Sequence, residues 1–397
     1  MAHAFIPYGI YWSTPFAKWQ GSLANLHSMK LAANVGKQAL ADKKFPVGDI
    51  DYGVLGLTNP QPSSFYGLPW VTGMMGLDSV AGTSVHQACA TSARTLQMAA
   101  QEIADGMASC ALVVCADRMS NAAVLYYPDA SAPGGRGITE SWSLDNFAKD
   151  PYAGNAMIDT AENVSRANGF TTAQQHEVVL ARHAQYQDAL ANDRAFQKRY
   201  MVDVPITDSN FRKQLGVLSA DEGLAKTSAE GLAKLKPVKP DGTVTFGGQT
   251  HPADGNAGVI VTTRDKAQAY SLDKKITIEL LGFGQARVAK GFMPAATVPA
   301  ASRALANAGL AMKDVTAVKT HNPFAANDLI FAKETGFPLD KMNNYGCSLI
   351  WGHPQGPTGL RAVMELIEEL VLKGGGVGLF TGCAAGDSGM ALVLRVS

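Results

Sequence analysis

Short apolar runs and longer stretches of helical spacing alternate along most of the chain. Continuous apolar runs at 52–57 and 111–115 read as buried strands, and apolar positions recurring every three to four residues at 23–41 and 96–107 read as helices packed around them. Strand patterns resume at 258–262, 276–283, 315–319, 377–380 and 390–396. Helical patterns at 295–308 and 360–372 fall among them. Strands alternating with helices predict an α/β architecture. The last stretch repeats the first in order of elements, although no residue-level repeat links the two.

Between about 121 and 250 the pattern changes. Residues 126–147 are rich in Pro, Gly, Ser and Asp, a helical stretch follows at 172–191, and 234–255 returns through Pro, Gly and Asp turns. An insertion of this size reads as a functional excursion from the core. The organisation expected is an N-terminal half at 1–120, a loop domain at 121–250, a return strand at 251–272 and a C-terminal half at 273–397.

Three turns carry the chemistry. Cys89 sits in Val85-His86-Gln87-Ala88-Cys89-Ala90-Thr91-Ser92, a small-residue turn that opens onto the helical pattern of Leu96, Ala99, Ile103 and Met107. A thiol there would face unpaired N–H groups and the positive end of the helix dipole, which favour the nucleophilic thiolate. Taken alone, such a cysteine is more often a small core residue. Near the C-terminus, Gly352-His353-Pro354-Gln355-Gly356-Pro357-Thr358-Gly359 describes a tight turn holding one imidazole near a helix start. Gly382-Cys383-Ala384-Ala385-Gly386-Asp387-Ser388-Gly389 reads as strand, turn, strand with a second cysteine at its tip. Two cysteines and a histidine, each on a small-residue turn between buried elements, call for a shared explanation.

Composition narrows the field. At 397 residues and 46% hydrophobic content the chain has apolar material for a large core. Basic and acidic residues balance at 34 each, so no global field favours nucleic acid or an anionic membrane. Cys89, Cys110, Cys115, Cys347 and Cys383 show neither a disulfide framework nor metal-ligand spacing, which predicts reduced thiols and no metal. No apolar run is long enough to span a bilayer and no signal peptide is legible, so a cytoplasmic protein is expected.

The three turns, in this order, resemble the thiolase superfamily. The resemblance extends along the chain through Ser13-Thr14-Pro15-Phe16, Cys115-Ala116-Asp117-Arg118-Met119-Ser120, Thr160-Ala161-Glu162-Asn163, Leu232-Ala233-Lys234-Leu235-Lys236-Pro237 and Asp241-Gly242-Thr243-Val244-Thr245. It implies the thiolase fold: two similar α-β-α-β-α halves with mixed five-stranded sheets, plus the loop and helical excursion. It also implies a reversible thiolytic cleavage of a 3-oxoacyl-CoA, with coenzyme A as substrate and no permanently bound cofactor. Cys89 would be the nucleophile, His353 its base, and Cys383 the acid or base for the released enolate. The amide of Cys89 and that of Ala385 would form the oxyanion hole. His321, in His321-Asn322-Pro323-Phe324-Ala325, would bind the enolate oxygen as in the sterol-carrier type of thiolase. A homodimer or tetramer is implied, and some relatives work with a small zinc-ribbon/OB partner.

Departures from the family pattern bear on the substrate. Ala385 replaces the glycine of Cys-x-Gly, Ala156-Met157-Ile158 replaces His-Met-Gly, and Thr250-His251 replaces the Ser-Gly that touches pantetheine. Phe246, Met293 and Phe324 match positions near the thioester or acyl chain, and Lys226 matches a cation near the nucleotide phosphates. These changes point to a specialised branched, aromatic or dicarboxylic acyl group, the benzoylsuccinyl-CoA thiolases being one example. The alternatives are a decarboxylating condensing enzyme of the ketoacyl synthase type and a non-catalytic thiolase-like lipid-binding protein.

Overall fold

The computed structural model describes residues 4–397. Nine strands form the spine of one mixed sheet: β1 (Ala4–Ile6), β2 (Tyr52–Gly56), β3 (Ala81–Val85), β4 (Cys110–Arg118), β5 (Ala253–Thr262), β6 (Ile278–Arg287), β7 (Ala317–His321), β8 (Gly376–Ala384) and β9 (Ser388–Val396). Their spatial order is β7-β8-β9-β6-β1-β5-β4-β2-β3, and two short strands, Tyr11–Ser13 and Ala17–Lys18, also pair with β5. The principal helices are α1 (Ser28–Asp42), α2 (Thr91–Ala104), α3 (Met157–Asn168), α4 (Thr172–Arg194), α5 (Thr297–Asn307), α6 (Ala325–Thr335) and α7 (Gly356–Leu372). None of the helices among the described residues is long and apolar enough to cross a membrane.

Strand β4 shows why these runs are strands. Its alternate residues Cys110, Leu112, Val114 and Ala116 pack into one core with α1, while Ala111, Val113 and Cys115 enter a second core with α2 and α7. A sheet covered on both faces leaves no polar side, so the run is apolar throughout. The inner faces of β8 and β9 meet the same second core through Phe380, Met390, Leu392 and Leu394, and α5 covers their outer faces. The layers are therefore α1, sheet, α2 with α7, sheet, α5.

The two half-sheets share a plan: β2 with β4 and β7 with β8 are parallel, and each pair is followed by an antiparallel strand, β5 or β9. They differ in two details from the expectation of two five-stranded sheets. First, β1 pairs with both β5 and β6, so the halves are joined edge to edge. Second, the fifth position of the C-terminal half is only a single bridge, Val318 to Met342. At Asn343 the backbone turns to φ +60° and its side-chain oxygen accepts the Thr320 N–H at 2.8 Å, the donor a fifth strand would have used.

The excursion is structured rather than open loop. It holds two hairpins, Val124–Tyr127 with Ile138–Ser141 and Val204–Thr207 with Gln214–Leu218, besides α3 and α4. It is tied to α7, whose residues from Gly356 to Leu370 are all buried. Arg361 grips Asp221 through two bonds of 2.6 and 2.7 Å, Glu365 meets Lys319 at 3.0 Å and Tyr200 at 2.8 Å, and Glu368 meets Arg199 at 2.6 Å. Buried charges persist only when every partner is present. Replacing Arg361 with Met leaves Asp221 buried without its cation, and urea denaturation is expected to show a loss of about 3–5 kcal/mol; a loss below about 1 kcal/mol would mean that water reaches Asp221.

Candidate active site

Cys89 lies in a short 3-10 turn, Ala88–Ala90, that runs directly into α2. Ala88 adopts φ +44°, a strained conformation for a residue with a side chain. Thr91 holds it there: its hydroxyl donates to the Ala88 carbonyl at 2.7 Å and accepts from the Gln87 N–H at 2.9 Å. The turn presents the sulfur to a cavity of about 510 Å³ that Gln355, Ala385, Gly386 and Met157 also line.

His353 arrives from the other half of the chain. Its Nε2 is 3.1 Å from Cys89 Sγ, and its Nδ1 is 2.6 Å from the hydroxyl of Thr358, in the first turn of α7. The Cys89 thiol also reaches Gln355 Oε1 at 3.4 Å. His321, the last residue of β7, stacks on His353 with ring centroids 4.0 Å apart, and its Nδ1 is 2.8 Å from Ser348 Oγ. One ligand atom from each of Cys89, His321 and His353 falls within 4.8 Å of the others.

Cys383 joins them by strand register. His321 stands opposite Gly382 in the parallel β7–β8 ladder, where a Cβ on residue 382 would lie 2.9 Å from the His321 Cβ. Only glycine admits that approach. Cys383 is still within β8, opposite Gly389, rather than at the tip of the turn as its sequence suggests. Asn327 Nδ2 donates to its sulfur at 3.2 Å, and Asn327 Oδ1 accepts the Phe324 N–H, which fixes the amide's orientation.

Electrostatics corrects one expectation. The helix N-terminus is expected to favour the Cys89 thiolate. Burial instead pushes the Cys89 thiol up to about 12, against a lowering by the Ala385 backbone N–H. Burial, reinforced by His321, drives His353 well below the ordinary histidine value, and burial alone takes His321 to about 3. Burial and the nearby Cys89 also raise Cys383. At rest the site therefore holds neutral thiols and neutral imidazoles.

The residues expected to touch substrate separate into three groups. Met293 and Phe324 are buried in one cluster with Cys383, and Met157 packs against it. Thr250 and His251 serve as a strap: the Thr250 N–H donates to the Pro323 carbonyl at 2.8 Å, its hydroxyl donates to the Ser348 carbonyl at 2.5 Å, and the His251 carbonyl accepts the His353 N–H at 2.9 Å. Lys226 and Phe246 are exposed and lie outside the cavity. Sequence reasoning missed Thr358, Gln355, Asn327 and Ser348. Thr358 alone left a signal, five residues after His353 and so in the first turn of the helix that the turn starts.

Comparison with known proteins shows the family. Residues 12–265 match the description "Thiolase, N-terminal domain" and residues 274–396 match "Thiolase, C-terminal domain". The chain is 30% identical over 391 residues to the acetyl-CoA acetyltransferase of Escherichia coli, with 96% of each chain covered. It is also 30% identical over 395 residues to a β-ketoadipyl-CoA thiolase of Pseudomonas knackmussii, again with 96% of each covered. Among solved structures, the Bacillus anthracis acetyl-CoA acetyltransferase superposes with a TM-score of 0.90 at 25% identity, covering 100% of this chain and 99% of that one. The human mitochondrial 3-ketoacyl-CoA thiolase has the same fold, with a TM-score of 0.90 at 24% identity and the same coverage. The chain belongs to the thiolase family and is an acyltransferase.

A raised thiol has little thiolate at neutral pH, and that fraction grows as pH rises toward the thiol's own value. Alkylation of Cys89 by iodoacetamide, followed by mass spectrometry, is expected to climb about tenfold per pH unit through the neutral range without levelling off. A plateau near neutrality would instead reveal a resting thiolate–imidazolium pair.

Proposed function

We propose that the chain catalyses the reversible thiolytic cleavage of a 3-oxoacyl-CoA by coenzyme A. The observation that carries this reading is the 3.1 Å contact of Cys89 Sγ with His353 Nε2, beside a second thiol, Cys383, whose orientation Asn327 fixes. His353 takes the Cys89 proton as the sulfur attacks the 3-keto carbon. The resulting oxyanion is held by backbone N–H groups at Cys89 and Ala385, preorganised donors that cost little to reorganise. The bond between carbons two and three then breaks. The departing enolate, with His321 as donor to its oxygen, takes a proton from Cys383 to give the shorter acyl-CoA. Cys383, left as a thiolate, takes the proton of coenzyme A as that sulfur attacks the acyl-Cys89 thioester; the new acyl-CoA leaves, and His353 returns its proton to the Cys89 thiolate.

The neutral resting state supports this order of events, because charge develops only once substrate carbonyls occupy the donors. The stacked histidines favour a decarboxylating condensing enzyme as the second reading. Cys383 weighs against it, since loss of carbon dioxide makes the enolate without a base. Aromatic side chains at the cavity, Trp142, Phe147 and Tyr152, support a bulkier acyl group than acetyl. A panel of linear, branched, aromatic and dicarboxylic 3-oxoacyl-CoAs tests that point.

Cys89→Ala is expected to lower thiolysis by roughly 10³-fold or more. Cys383→Ser is expected to keep Cys89 acylation by acetyl-CoA but to slow exchange of the acetyl-CoA α-protons by about 10²- to 10⁴-fold. Normal exchange in that variant would remove Cys383 from the chemistry. His321→Ala is expected to cut turnover by about 10²-fold while sparing acylation; equal losses in both would place His321 elsewhere in the cycle.

A further inference from the structure

His321 is neutral at working pH, so only one of its two ring nitrogens carries a hydrogen. Which one decides whether the ring can donate to an oxyanion or would repel it. Nδ1 is 2.8 Å from Ser348 Oγ, whereas Nε2 is buried and meets no hydrogen-bond partner among the described residues. The nitrogen left for a substrate oxygen is Nε2.

A count of hydrogens at Ser348 resolves the choice. Its hydroxyl has one hydrogen and three neighbours. The Asn322 N–H donates to it at 3.1 Å, which uses a lone pair. The hydrogen can then go to His321 Nδ1 at 2.8 Å or to Asn322 Oδ1 at 3.1 Å. Asn322 Oδ1 already accepts the Leu349 N–H at 3.2 Å. Its amide cannot turn over, because Nδ2 donates to Asp328 Oδ2 at 2.8 Å and to Cys347 Sγ at 3.2 Å. Asp328 is in turn held by Arg182 and Thr320. The shorter contact and the less satisfied acceptor both lie at His321 Nδ1.

We propose that Ser348 is a positioning residue that donates its hydroxyl hydrogen to His321 Nδ1, and so holds His321 as the Nε2–H tautomer that faces the substrate's enolate oxygen. The assignment rests on the thiolytic reading above and adds to it the group that sets the donor. It also gives the stacked imidazoles opposite duties. His353 must keep Nε2 bare to accept the Cys89 proton, so its Nδ1–H donates to Thr358, while His321 needs the reverse. Two hydroxyls of opposite role, one accepting and one donating, separate two rings only 4.0 Å apart.

The test combines kinetics with a direct reading of the tautomer. In the unaltered enzyme labelled with ¹⁵N-histidine, the signal that vanishes in His321→Asn is expected to report a protonated Nε2 and a bare Nδ1. Ser348→Ala is expected to slow α-proton exchange of acetyl-CoA by about tenfold or more, with Cys89 acylation changed by less than about twofold. Ser348→Thr, which keeps the hydroxyl, is expected to recover most of the exchange. A protonated Nδ1 in the unaltered enzyme, unchanged exchange in Ser348→Ala, or equal losses of exchange and acylation would each overturn the assignment. Failure of the unaltered enzyme to acylate Cys89 would refute the thiolytic reading instead, and the ¹⁵N signal would still decide the role of Ser348.

Discussion

One buried carboxylate holds the two halves of the site in register. Asp117, near the end of β4, accepts the N–H groups of Thr58 and Asn59 at 2.8 and 2.9 Å, the Thr58 hydroxyl at 2.9 Å, and the N–H of Gly356 at 2.8 Å. Gly356 is the first residue of α7, three positions after His353. The same carboxylate thus anchors the N-terminal strands and the turn that carries the catalytic imidazole. Ser92, in α2, donates to the Gly356 carbonyl and draws the Cys89 helix to the same point. A Cβ at 356 would sit 2.6 Å from Asp117 Oδ2, so glycine is required for the approach. Burial raises Asp117 to about 7 in spite of its four donors. Those donors are the favourable term that keeps it serviceable as a clamp.

Around that clamp α7 carries a run of buried, paired charges. Arg361, Glu365 and Glu368 are paired inside the protein, and each has a partner in the excursion, Asp221, Tyr200 and Arg199, while Glu365 also meets Lys319 of β7 and Glu368 meets Tyr11. Such pairs contribute more to specificity of arrangement than to net stability, since desolvation offsets much of their attraction. Their effect here is geometric. They fix α7 along its length, and so the His353 turn that precedes it. The reacting groups, by contrast, are neutral at rest and surrounded by oriented donors, the arrangement in which a developing oxyanion gains most.

The excursion is therefore part of the site's support as well as a cover for the cavity. Its closing segment, Gln249 to Pro252, bridges to Phe324 and to His353 and bonds across both histidine turns. The substitutions at Thr250 and His251 gain a physical account from this. Thr250 ties the His321 turn, through its N–H to the Pro323 carbonyl, to Ser348, through its hydroxyl to the Ser348 carbonyl, and the Ser348 hydroxyl itself faces the His321 ring.

Periodicity specified seven of the nine spine strands and the helices at 23–41, 96–107, 172–191, 295–308 and 360–372, because β4 must be apolar on both faces and these helices must turn an apolar stripe inward; it left β1, β3, α3 and α6 unread. The small-residue turns around Cys89, His353 and Cys383 were legible because a strained or tightly packed backbone restricts which residues can occupy it. What sequence could not supply was the environment of each group. The helix-terminus argument favoured a thiolate, and only the packed structure shows the burial that pushes the thiol up. Nothing in the spacing of Arg361, Glu365 and Glu368 distinguished a solvated face from a helix buried all round. Asn327, Ser348 and Asp117 were silent for the same reason: a side chain's hydrogen-bond partners lie across the fold, and tertiary packing alone decides which distant donors and acceptors meet.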